Sequence, residues 1–153
     1  MIARTRVDGS RSRGFTLIEL MIALAVVAIL VRVAFPSYQA YIVRSSRQAA
    51  QSELVALANA QEKIYLNSNA YTTSVTGTYT GQSGGGLGVT ATTTCTTAGR
   101  SKDCRYAYSL DATAPAGTFT LTATPVTGTP QAGDGNLTIT ETGQRTWGSG
   151  KTW

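Results

Sequence analysis

The sequence predicts an α+β chain, one long N-terminal helix followed by antiparallel strands. Three observations predict it. An unbroken apolar run, FTLIELMIALAVVAILVRVAF, occupies residues 15–35, and an Ala- and Gln-rich, helix-compatible stretch continues it to about Leu66. From Tyr71 onward the chain turns rich in Thr, Gly, Ala and Ser. Three late segments then alternate apolar and polar residues at period two, the mark of strands with one buried face.

As a helix the run from Phe15 to Phe35 is about 31 Å long, matching a hydrocarbon core of about 30 Å. It is long for the apolar region of a secretory signal peptide, and no small-residue cleavage site follows it. An ordinary membrane anchor explains the length but not Glu19, one turn in. An acidic side chain at a bilayer centre costs roughly 2.5–3.5 kcal/mol on insertion scales, so something must offset it. Arg4, Arg6, Arg11 and Arg13 precede the run with Asp8 and favour a cytoplasmic N-terminus. Arg32 lies about 26 Å along the helix from Phe15, where it can snorkel to the far interface as an anchor. Pro36 crowds the Arg32 carbonyl and removes one helical hydrogen bond, so a kink is expected there.

Beyond Pro36 the helix should continue over 36–66. Leu54, Leu57, Ala58, Gln61, Ile64 and Tyr65 recur at spacings of three and four and form a stripe that would pack on a sheet. Arg44, Arg47, Glu53, Glu62 and Lys63 occupy or border polar faces, and such charges are usually solvated. NSNAYTT from Asn67 supplies the stop. A helix from Phe15 to Leu66 would be about 78 Å long, and apolar surface on that scale implies a membrane or other subunits.

Residues 67–104 read as a connector. TGQSGGGLG is flexible turn material, without the Gly-Lys-Ser/Thr ending of a phosphate-binding loop. Cys95 and Cys104 could be free thiols, half a metal site or a disulfide. No other Cys and no His complete a soft-metal site, and if this part is exported the disulfide is the default. Such a bridge would contribute roughly 2–3 kcal/mol by chain entropy.

Residues 105–153 carry the strands. Tyr106, Tyr108 and Leu110 share one face; Phe119, Leu121 and Ala123 share the next, with threonines opposite; Leu137 and Ile139 share the third. TGQR from Thr142 reads as a turn into a short last strand through Trp147.

The net charge of +5 is concentrated at the N-terminus, where the first fourteen residues carry +3. That is weak support for nucleic-acid binding. The chain has no histidine, no clustered carboxylates and no nucleophile–base pairing, which argues against an enzyme. No metal or cofactor is called for.

The stretch RGFTLIELMIALAVVAIL, with AFPSYQAYIVRS after it, closely resembles the N-terminus of type IV pilins and of type II secretion pseudopilins. The resemblance implies a basic leader, residues 1–14, removed by a prepilin peptidase at the Gly14–Phe15 bond. It implies N-methylation of Phe15 by the same peptidase/methyltransferase, and Glu19 as the assembly glutamate. A free amine at Phe15 would give Glu19 its partner, because opposite charges attract strongly in a low-dielectric filament core. Desolvation offsets much of that attraction, so the pairing sets register more than stability. Ala28 and Arg32 depart from the family pattern, which more often has Gly and an apolar residue there. The C-terminal region also lacks the usual cysteine, so packing must hold it.

The resemblance further implies the pilin fold, with the C-terminal half of the helix on an antiparallel meander. Its ending, GNLTITETGQRTW, is most similar to minor pilins of the PilE-like class. The implied role is a structural subunit of a type IV pilus, supporting pilus assembly, twitching motility and surface adhesion. Its partners would be other pilin subunits in a helical filament, the membrane and the inner-membrane assembly platform. The chain would sit in the inner membrane with a periplasmic head, and in the extracellular pilus after assembly. Two alternatives stand. A pseudopilin shares the whole N-terminus. A competence pilin would capture DNA through the small basic patch of Arg100, Lys102 and Arg105, although three cations with Asp103 among them are few for a DNA site.

Overall fold

A computed structural model describes residues 14–113 and 117–153. The basic leader that precedes Gly14 lies outside the described residues. The order is one helix, α1 (Leu17–Ser68), then β1 (Tyr106–Thr113), β2 (Thr118–Pro125), β3 (Leu137–Thr140) and β4 (Arg145–Trp147). The chain divides after Tyr38 into two compact units.

In the first unit the described residues of α1 are exposed along their length. Phe15 is 81% exposed, and Leu17, Ile18, Leu20 and the apolar residues through Phe35 are exposed with it. The helix is long and apolar enough to cross a membrane, and none of its most apolar window is buried. Pro36 lies inside α1.

In the second unit, Gln39–Trp153, the strands form one antiparallel meander in the order β1-β2-β3-β4. Ser46, Ala50, Leu54, Ala58, Gln61 and Ile64 are the buried residues of α1, at spacings of three and four. Of these, Ala50, Leu54, Ala58 and Ile64 share one core cluster with Tyr106, Tyr108, Phe119, Leu121, Ala123, Leu137 and Ile139 from the inner sheet face. Leu110 pairs with Leu121, and Leu121 with Ile139, so the alternating residues of three strands line up on one face. Threonines occupy the other face, with Thr120 opposite Thr140 and Thr122 opposite Thr138. Burial begins earlier on the helix than the Leu54–Tyr65 stripe indicated, because Ser46 and Ala50 are small enough for close contact. Leu57 is only partly buried against the core.

The helix stops as its sequence suggests. Asn69 adopts a left-handed φ of 51° and its N–H donates to the Tyr65 carbonyl at 2.7 Å, an αL cap.

The connector forms no strand among the described residues, but it is held rather than loose. Buried Gln61 spans it twice, donating to the Thr72 carbonyl at 3.0 Å and accepting the Thr72 N–H at 3.1 Å. The Leu87 and Val89 N–H groups donate to the Ser74 and Val75 carbonyls, both near 3 Å. The glycine run expected as flexible material is therefore pinned, and the physical reason is close approach. A Cβ on Gly86 would lie 2.4 Å from the Gly77 Cα and carbonyl oxygen.

Candidate functional site

The start of α1 is built around Thr16. Its hydroxyl accepts the Glu19 N–H at 3.3 Å, satisfying one of the free donors of the first helical turn. Thr16-Leu17-Ile18-Glu19 has the T-x-x-E spacing of a capping box, which the apolar pattern around it obscures. A carboxylate in the first turn also suits the helix dipole. The Glu19 side chain has no ion-pair partner among the described residues. A Cβ at Gly14 would meet nothing within 4 Å among the described residues.

In the second unit the two cysteines are bridged, with Cα atoms 5.2 Å apart. Cys95 is buried, and Cys104 takes a left-handed φ of 59° that turns the chain into β1. Between them the Tyr108 N–H donates to the Gly99 carbonyl at 2.7 Å and the Ser101 N–H to the Tyr106 carbonyl at 2.9 Å. The stapled loop is thereby laid along the edge of β1.

That loop carries the basic patch but separates its members. Arg105 turns inward, donating to the Ser46 hydroxyl at 2.9 Å and lying 3.8 Å from the Asp103 carboxylate. Burial pushes the Asp103 carboxyl up, but hydrogen bonds from Ser101, Ser46 and the Arg105 backbone, with the Arg105 charge, outweigh it and hold the pKa below the ordinary value. Arg100 and Lys102 instead line a groove of about 240 Å³ with Leu57, Leu87, Val89 and Tyr108. Neither has a carboxylate within ion-pair distance among the described residues. At the groove wall the Tyr108 hydroxyl donates to Glu53; burial first, then that carboxylate, pushes the phenol pKa up.

A second cluster fastens the C-terminal region to α1. The Asp134 carboxylate pairs with the Arg47 guanidinium, accepts the Tyr106 hydroxyl at 2.5 Å and accepts from the Gln131 amide at 2.5 Å. Its side chain is 4% exposed and that of Arg47 20%. Burial raises the Asp134 pKa, yet the Arg47, Tyr106 and Gln131 hydrogen bonds and the Arg47 charge bring it below the usual value. Arg47 also stacks 3.8 Å over Trp147, whose indole N–H donates to the Asp134 carbonyl at 2.5 Å. The expectation of solvated helix charges thus fails at Arg47. It fails also at half-buried Glu53, which accepts the Tyr108 hydroxyl, whereas Glu62 stays exposed while accepting the Tyr71 hydroxyl at 3.0 Å. No local pattern announces a pair 87 residues apart.

Among the described residues no group of His, Cys, Asp and Glu is arranged to hold a metal ion.

Comparison with known proteins matches residues 9–31 to the prokaryotic N-terminal methylation motif. Residues 36–138, more than half of the chain, match the family described as "Type IV minor pilin ComP, DNA uptake sequence receptor". A fimbrial protein of Pseudomonas aeruginosa is 44% identical over 64 residues, covering 42% of each chain. The type IV major pilin protein PilE1 of Neisseria gonorrhoeae is 49% identical over 59 residues, 36% of this chain and 33% of its own. The type IV major pilin protein PilA of Myxococcus xanthus is 41% identical over 61 residues, 40% of this chain and 28% of its own. The chain therefore spans less than half the length of these relatives. One family match takes the exposed apolar start of α1 and the other its packed half with β1 and β2, and the chain belongs to the type IV pilin family.

Proposed function

We propose that this pilin is a minor structural subunit of a type IV pilus, cut between Gly14 and Phe15, methylated at the Phe15 amine and assembled through Glu19. The observation that carries the reading is Glu19 itself, a carboxylate without an ion-pair partner among the described residues, on an exposed apolar helix. A filament supplies both the apolar cover and, at the new amine of a neighbouring copy, the counter-charge. The N-terminal methylation motif matched over residues 9–31 supports the cut and the methylation. Residues 15–35 hold the subunit in the inner membrane, N-terminus in the cytoplasm and head in the periplasm, until the assembly platform moves it into the extracellular pilus. Pro36, inside α1, removes one helical hydrogen bond at the end of the anchor. Minor status draws on the family description over 36–138, since the relatives named above as PilE1 and PilA are major pilins. Surface adhesion and twitching motility are the filament's outputs.

The test is Glu19→Ala, followed by immunoblot of this subunit in membrane and sheared-pilus fractions. The membrane fraction should stay full, because removing the acid lowers the cost of insertion. The pilus fraction should lose the subunit. Normal incorporation defeats the pairing.

A second reading, DNA capture, is favoured by one specific observation beside the family description. Arg100 and Lys102 stand in the groove wall without a carboxylate partner among the described residues, whereas Arg105 is occupied by Asp103 and Ser46. Two phosphate contacts would give a shallow salt dependence, roughly a slope of −2 in log–log form. Arg100→Ser with Lys102→Ser should abolish DNA retention by the detergent-solubilised chain. Retention that persists in that variant removes this site.

A further inference from the structure

Between Phe15 and Phe35 the helix carries two charged side chains, Glu19 and Arg32. The apolar residues around them are exposed, and neither charge has an ion-pair partner among the described residues. Thirteen residues separate them, about 20 Å along the axis and about 140° around it. In a membrane Arg32 can reach the interface by snorkelling. Once the subunit enters a filament the lipid headgroups are gone, and the charged guanidinium needs another partner. Glu19 is the one carboxylate in the segment.

We infer that Arg32 of one copy pairs with Glu19 of a second copy, the two helices running parallel and offset along their axes by about 20 Å. The inference rests on the filament reading above. Glu19 and Arg32 lie on different sides of the helix, so a copy that meets one neighbour through Glu19 presents Arg32 to another. Such head-to-tail contacts propagate into open helical arrays instead of closing into a dimer. The offset also sets Phe15 of one helix level with Ala28 of the next, a large side chain against a small one that permits close approach. A carboxylate has two oxygens, so Glu19 accepts the Phe15 amine and the guanidinium together. Arg32 thereby becomes the second specificity contact of the filament core.

The test is a double-mutant cycle on the full chain in its native host, reading the ratio of this subunit in sheared pili to that in membranes. Insertion and formation of the Cys95–Cys104 bridge serve as folding controls. Arg32→Leu should lower the ratio about tenfold, the scale of one charge-assisted contact, and Arg32→Lys should restore most of it. Arg32→Leu combined with Glu19→Gln should fall no further than the weaker single variant. Thiol cross-linking in pili between copies bearing Ile22→Cys and copies bearing Phe35→Cys, positions brought level by the offset, should succeed and be lost on adding Arg32→Leu. If Arg32→Leu enters pili at or above the unaltered level, Arg32 is a lipid-headgroup anchor and the pairing is overturned. Effects that multiply in the double variant, or a cross-link indifferent to Arg32→Leu, overturn it equally. Absence of the unaltered subunit from pili would instead overturn the filament reading.

Discussion

Asp134→Ala should be among the most damaging single changes in the head. The carboxylate is nearly enclosed and serves three donors: the Arg47 guanidinium, the Tyr106 hydroxyl and the Gln131 amide. Alanine leaves the buried Tyr106 hydroxyl without its acceptor and the guanidinium with only the Trp147 ring and some water, while the Gln131 amide keeps the Val43 carbonyl and the Tyr106 hydroxyl. Removing one partner of a buried pair costs about 3–5 kcal/mol, and the one-fifth exposure of Arg47 places this case at the lower end, about 3 kcal/mol. For a unit of this size that is a fall in Tm of about 10–20 °C. The chain's two tryptophans, Trp147 and Trp153, both lie in this region, so tryptophan fluorescence of the detergent-solubilised chain follows its unfolding directly. Replacing both partners with apolar residues, Arg47→Met with Asp134→Leu, should recover most of the loss, because no charge is then left unpaired. A cost below about 1 kcal/mol for Asp134→Ala would refute the reasoning, since exposed pairs already reach that value.

Acid should act through the same carboxyl. Its folded pKa lies below the unfolded value near 4, so its contribution is complete above about pH 4 and is lost as pH falls through the folded value. Thermal unfolding from neutral pH downward should show a decline below about pH 4 that is reduced in Asp134→Asn. Replacing Cys95 and Cys104 with Ser should cost the head roughly 2–3 kcal/mol while membrane insertion is unchanged, as denaturant titration and membrane fractionation would show. Gly86→Ala should cost about 1–3 kcal/mol by driving a methyl into the Gly77 backbone, and an unchanged denaturation midpoint would contradict the pinned connector.

What could be read from the sequence is what repeats locally. Phe119, Leu121 and Ala123 alternate with threonines, and that period alone places them on the inner face of β2. Leu54, Ala58, Gln61 and Ile64 recur at helical spacing and are buried at that spacing. Glu19 stands out because it breaks an apolar run. The groups that fasten the second unit together have no such period. Arg47 looks like any surface arginine until the turn after β2 brings Asp134 and Gln131 beneath it. Gly77 and Gly86 read separately as loop punctuation; only their contact shows why each lacks a side chain. Thr16 was legible through its spacing to Glu19, but the pattern merges into the apolar segment.

The central claim is that this chain is a processed filament subunit, and intact-mass analysis of pili sheared from the native host tests it most directly. The account predicts a subunit that begins at Phe15, carries one methyl group on that amine and retains the Cys95–Cys104 bridge. A chain that enters pili with residues 1–14 attached, one that begins at another residue, or pili that contain none of it would contradict the account.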